Sequence, residues 1–169
     1  MNTTLLKKNI SNIILSKTNS DINFFTTKKS FLDKNFSSLS DVFSEIKKVS
    51  KQEYGIQNEK INFSSKKNEK NNLIPFDNGI LLINSFFTKL KKNCLIFFRL
   101  EKPILLNNKK SIDIIFTLLT PNNFKTSHKL QILAKLTRIL QGPNIRKEIK
   151  GIKKPEDVLA LLLFTSQSS

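Results

Sequence analysis

The sequence predicts a single α/β or α+β domain whose sheet is covered on both faces. Three apolar stretches of strand length lie close together, at 80–87 (ILLINSFF), 94–100 (CLIFFRL) and 112–119 (IDIIFTLL). They hold too few polar positions for a sheet with one wet face, so each face needs a covering layer. Helical periodicity stands before and after them and supplies those layers. A chain of 169 residues is long enough for one domain with a real core and short for two.

Residues 1–36 are mixed and polar, with NIIL (12–15) and INFF (22–25) as short strand candidates. From there Leu39, Val42, Phe43, Ile46 and Val49 recur at three- and four-residue spacing, one face of a helix that Ser38 or Ser40 can cap. Residues 50–72 are charged and lack a sustained period, which reads as a loop. Lys-Lys-Asn (91–93) and Asn-Asn-Lys-Lys (107–110) mark turns between the strand candidates. After TPNN (120–123) comes an amphipathic helix with Leu130, Leu133, Ala134, Leu136, Thr137 and Leu140 as its inner stripe and Lys129, Lys135 and Arg138 mostly outside. QGP (141–143) ends it, glycine serving as a left-handed cap and proline blocking continuation. A short basic helix over 144–150 breaks at Gly151, and Pro155 opens a last helix whose Glu156 and Asp157 suit the dipole. No internal repeat is visible.

The 29 basic and 13 acidic residues give a net charge of +16, which raises the question of a phosphate-bearing partner. Residue choice argues against nucleic acid. Arginine, the preferred fork for phosphate and guanine, occurs only as Arg99, Arg138 and Arg146. Lysine, asparagine, isoleucine and phenylalanine share A/T-rich codons, so base composition of the genome accounts for the charge equally well. Cys94 is the single cysteine, which excludes an intrachain disulfide and a cysteine-based metal site; within its apolar run it reads as a small buried hydrophobe. The N-terminal residues hold no continuous apolar segment of signal-peptide length, and the longest apolar run, 158–164, is too short for a bilayer. The expectation is a cytoplasmic protein without membrane insertion, cofactor or metal.

The stretch Leu73–Gly79, LIPFDNG, follows a segment without apolar residues (64–72) and looks like a strand entering a turn. Asp77 reads as a turn residue and Phe76 as a packing aromatic. Further on, RLEKPILLNNKKSIDIIFTLLTP (99–121) resembles a block of the nitrogen-type enzyme IIA proteins of the bacterial phosphotransferase system, relatives of the fructose- and mannitol-type IIA domains. Leu100, Glu101, Pro103 and Ile104 match the family's Leu-Glu-x-Pro-Ile turn. Ile112 and Asp113 match a strand start, and Leu118, Leu119 and Pro121 match its end. HKLQILAKLTRIL (128–140) is similar to the family's following helix, residues 145–163 to its C-terminal pair, and TTKKSFLDK (26–34) to a Ser-Lys-Lys helix start. The resemblance spans 1–169 as one domain, strongest over 73–163 and poor over 1–36.

The resemblance implies an α/β single-domain sandwich, a mixed central sheet flanked by helices on both faces. It also implies phosphoryl transfer from a histidine phosphocarrier protein to a histidine. That chemistry needs a neutral ring nitrogen as nucleophile and donors around the phosphoryl oxygens. At the family's Ile-Pro-His this chain has Ile74, Pro75 and Phe76, a benzyl group with no lone pair. The family's arginine falls on Lys60; Ser65 is retained, but the glycines of the approach are replaced by Ser, Lys, Glu and Asn. The family's second histidine falls on Lys129 or, with a one-residue shift, on His128, the single histidine of the chain. The resulting expectation is a degenerate enzyme IIA-like protein, binding, regulatory or relic. The alternatives are a residual acceptor using His128 and, more weakly, a basic nucleic-acid-associated protein. By resemblance the partners would be the phosphocarrier and potassium-transport or sensor proteins. The lysines of 66–70 read as a solvated loop able to meet an acidic partner.

Overall fold

Alternating side chains in the three apolar stretches point to opposite faces, and each face has found a cover. The computed structural model describes residues 26–56, 73–107 and 109–167. The elements run β1 (Thr26–Lys34), α1 (Leu39–Tyr54), β2 (Leu73–Pro75), β3 (Ile80–Phe87), β4 (Cys94–Leu105), β5 (Ser111–Pro121), α2 (Thr126–Leu140), α3 (Ile145–Gly151) and α4 (Asp157–Gln167). The strands form one sheet in the order β1-β4-β5-β3-β2. β1 is parallel to β4 and β3 to β5, while β4–β5 and β2–β3 are antiparallel. This is the mixed sheet that the resemblance implies.

Along β3, Leu81 and Ile83 enter a core with Val42, Ile46 and Val49 of α1, whereas Ile80 and Leu82 enter a second core on the opposite face. The second core takes Ile132, Leu136, Ile139 and Leu140 from α2, Ile145 and Ile149 from α3, and Val158 and Leu162 from α4. Ser38 caps α1, its hydroxyl accepting from the Asp41 N–H, and Gly55 at φ 64 ends it in the left-handed region.

Several sequence expectations need correction. TTKKSFLDK is strand β1, at the edge of the sheet, and not a helix start. α1 continues through 50–54, beyond the point where its apolar period fades. The Leu-Glu-x-Pro-Ile segment is the far part of β4, with a register irregularity between Arg99 and Ile104, rather than a separate turn. In α2 the inward stripe is Ile132, Leu136, Ile139 and Leu140, while Leu130 is exposed, so the face is rotated from the expected one. Gly142 does not take a positive φ; α2 ends in a tight turn where the Gly142 N–H bonds the Ile139 carbonyl at 3.1 Å. Pro155 lies in the turn before α4, which starts at Asp157. The strand candidates NIIL and INFF, together with Lys60, Ser65 and the 66–70 lysines, lie outside the described residues.

Candidate functional site

The LIPFDNG stretch is a hairpin. β2 ends at Pro75, the Phe76 N–H bonds the Ile80 carbonyl at 2.8 Å, and Asp77, Asn78 and Gly79 form the loop. Gly79 sits at φ 78, the left-handed position that closes a three-residue hairpin loop. Phe76 is 7% exposed and belongs to the core shared with Ile80, Leu82 and α2. Its position is one of packing. Asp77 is exposed and pairs with the Lys110 amine at 2.6 Å. That hydrogen bond, with the lysine's charge, holds the Asp77 carboxyl below its ordinary range. A depression of about 380 Å³ lies beside the loop, bordered by Phe76, Asp77, Asn78, Lys110 and Gln141.

Behind the loop stands a charged cluster that ties it to β5, α2 and α3. The Asn78 amide donates to the Leu140 carbonyl at 2.9 Å, at the end of α2. Arg146 of α3 donates to the Asn78 carbonyl at 2.9 Å and grips Asp113 of β5 with two bonds of 2.6 and 2.9 Å. Lys150 adds a contact of 2.5 Å to the same carboxylate. Burial raises the Asp113 pKa, but the hydrogen bonds and charges of Arg146 and Lys150 outweigh it, so the group stays ionised below its usual range. A second arginine works in the same way: Arg99 of β4 holds Asp33 of β1 and donates to the carbonyls of Ile149, Lys150 and Ile152 at the end of α3. The sequence offered Asn-Gly as a turn signal and Asp113 as a motif match, but nothing in it pairs Asp113 with Arg146.

His128 and Lys129 belong to the other end of the sheet. They lie in the first turn of α2, which starts just past the end of β5. The Lys129 amine donates to the Asn122 carbonyl at 2.6 Å and lies 4.9 Å over the ring of Phe86. The His128 ring packs 4.9 Å from that of Phe124. Phe76 adjoins Ile80 at the start of β3, and Phe86 closes its far end, about 20 Å along the strand. The structure therefore does not bring Phe76 together with either His128 or Lys129. On the α2 side of β3, the residues nearer that helix start are Asn84 and Phe86. Asn84 is 5% exposed, and its side-chain oxygen has no partner among the described residues. Its signal in the sequence was a lone amide inside an apolar strand. Neither residue offers an imidazole nitrogen. Among the described residues no group of three His, Cys, Asp or Glu side chains could hold a metal ion, and no helix is long and apolar enough to cross a membrane.

The architecture is thus a mixed five-stranded sheet with one helix on one face and three on the other, and β5 leads into a helix whose first turn holds the chain's sole histidine. Residues 23–164 match the family described as "Phosphoenolpyruvate-dependent sugar phosphotransferase system, EIIA 2", and the chain belongs to that family. Among solved structures it is similar to nitrogen regulatory protein IIA-Ntr of Neisseria meningitidis, with a TM-score of 0.63, 20% identity, and coverage of 83% of this chain and 97% of that one. It is also similar to a putative PTS IIA (PtxA) of Streptococcus mutans, at TM-score 0.63, 12% identity and coverage of 82% and 89%. A putative PTS IIA domain of Streptococcus pyogenes M1 GAS gives TM-score 0.56, 16% identity and coverage of 83% and 90%. Comparison with curated proteins by sequence gave no match.

Proposed function

We propose that this chain is a degenerate enzyme IIA of the nitrogen-regulatory branch, a single cytoplasmic domain that regulates by binding and does not accept phosphate at its sheet. The observation that carries this reading is the supply of histidine. The chain has one, His128, and no strand position provides a second. A phosphoramidate needs an imidazole nitrogen to displace the phosphocarrier's histidine at phosphorus, and neither Phe76 nor Asn84 has one. The protein partners by family resemblance are the phosphocarrier and potassium-transport or sensor proteins. Two of the three arginines, Arg99 and Arg146, are engaged inside the fold, which supports the argument against nucleic acid. A negligible salt slope of DNA binding would exclude that partner.

The experiment is incubation of the full chain with phosphoenolpyruvate, enzyme I and the phosphocarrier, followed by assay of acid-labile phosphate. Absence of label is the expected result. The competing reading is acceptance by His128, favoured by its half-buried place at the start of α2, where backbone N–H groups face outward. Label that disappears in His128→Ala would establish that reading and overturn the degenerate one.

A further inference from the structure

Three segments converge at the end of the sheet where β3 and β5 finish and β4 begins. Parallel pairing sets Phe87 beside Pro121, and antiparallel pairing sets Cys94 beside Leu119. The Asn122 N–H joins the two connections by bonding the Phe87 carbonyl at 2.8 Å. Thus the β3–β4 connection (88–93), the β5–α2 connection (122–125) and the first turn of α2 form one surface. It carries Lys91, Lys92, Lys125 and Lys129, and residues 88–93 and 122–130 contain no carboxylate. Among the described residues none of these four lysines forms an ion pair with a carboxylate. The contacts of Lys129, to the Asn122 carbonyl and the Phe86 ring, position its charge without neutralising it. Beside Lys129 stand two exposed apolar side chains, Phe86 under its amine at 44% exposure and Leu130, the next residue along α2, at 60%.

The geometry points to this end of the sheet as a docking surface for an acidic protein segment that carries an apolar anchor. The lysines draw in and orient a negatively charged partner, while the apolar pair provides contact that excludes water. An RNA or DNA strand would call for arginine forks, and Arg99 and Arg146 are already committed to Asp33 and Asp113, which leaves Arg138, further along α2. A membrane would call for a wider apolar face than two side chains. The inference deepens the binding-protein reading and rests on it. The phosphate-label assay tests that reading by acceptance, whereas the test below reads association only.

The probe is a fluorescein-labelled peptide of glutamates around a central leucine, titrated with the full chain at low salt and read by anisotropy. Lys91→Glu/Lys92→Glu/Lys125→Glu is compared with Lys147→Glu/Lys153→Glu/Lys154→Glu, which makes the same charge change on exposed lysines of the α3–α4 region. The first triple is expected to weaken binding about tenfold or more, and the second about threefold at most, because rim charges act within a Debye length. Leu130→Ser is expected to weaken the leucine peptide and leave an all-glutamate peptide unchanged. Equal losses for the two triples would overturn the surface, and indifference of both peptides to Leu130→Ser would overturn its apolar anchor. Tighter binding through the same lysines of a single-stranded oligonucleotide or a phosphatidylserine vesicle would overturn the choice of partner.

Discussion

Replacing Gly79 by alanine should destabilise the protein through two separable effects. At φ 78 a side chain suffers left-handed strain of about 1 kcal/mol. A Cβ there would also meet Arg146 Nη1 at 2.5 Å and the Ser111 carbonyl at 3.3 Å. The guanidinium is the end of a flexible side chain, yet it is anchored by bonds of 2.9 Å to the Asn78 carbonyl and of 2.6 and 2.9 Å to Asp113. Moving it forfeits part of those bonds, about 1–2 kcal/mol after allowance for its partial exposure to water. The sum is about 2–3 kcal/mol, or about 5–10 °C in Tm for a chain of this size. Urea denaturation followed by circular dichroism measures it. In an Arg146→Ala background the backbone strain and the close Ser111 carbonyl remain while the guanidinium clash is gone, so the cost of Gly79→Ala should fall to about 1 kcal/mol. Equal costs in the two backgrounds would refute the claim that the hairpin loop and Arg146 are pressed together.

Because the Asp113 carboxyl titrates below its usual value when folded, its contribution to stability is complete above the unfolded value of about 4 and is lost as pH falls through the folded value. Thermal melts from neutrality into the acid range should show this loss, and Asp113→Asn should flatten the acid limb while lowering Tm at neutral pH. Phe76→Ala should cost about 3–4 kcal/mol in urea titrations and Phe76→Leu less than about 1.5 kcal/mol, whereas a residue without a packing role would show no such difference. Arg99→Lys should cost about 2 kcal/mol, since one ammonium cannot serve both Asp33 and three helix-end carbonyls; amide exchange should quicken at the end of α3 and along β1.

Strands β3, β4 and β5 were legible because being buried on two faces demands continuous apolar sequence, and α1 because its other side is wet. β1 was not legible. It lies at the sheet edge, where lysines are tolerated, and it pairs with β4 some sixty-six residues away, as the Asp33–Arg99 contact shows. The rotated face of α2 escaped because Ile132 and Ile139 compete with Leu130 and Leu133 for the same periodic pattern, and only packing against the sheet decides between them. At the site, the turn at Asp77–Gly79 and the packing of Phe76 followed from local chemistry. The distance between Phe76 and His128 did not, because it depends on which end of β3 each residue adjoins. Spacing along the chain carries no information about that.

Arg99 also has a consequence for the order in which the chain assembles. Its guanidinium reaches Asp33, 66 residues upstream, and the carbonyls of α3, 50 or more residues downstream. Those bonds cannot form until three remote stretches have already come together, so they are expected late in folding. Contacts made that late leave the rate of folding almost untouched and slow the rate of unfolding. The residue therefore acts as a latch on the lifetime of the native state: its loss should shorten the time the fold persists, while a chain starting from the unfolded state would reach it as fast as before.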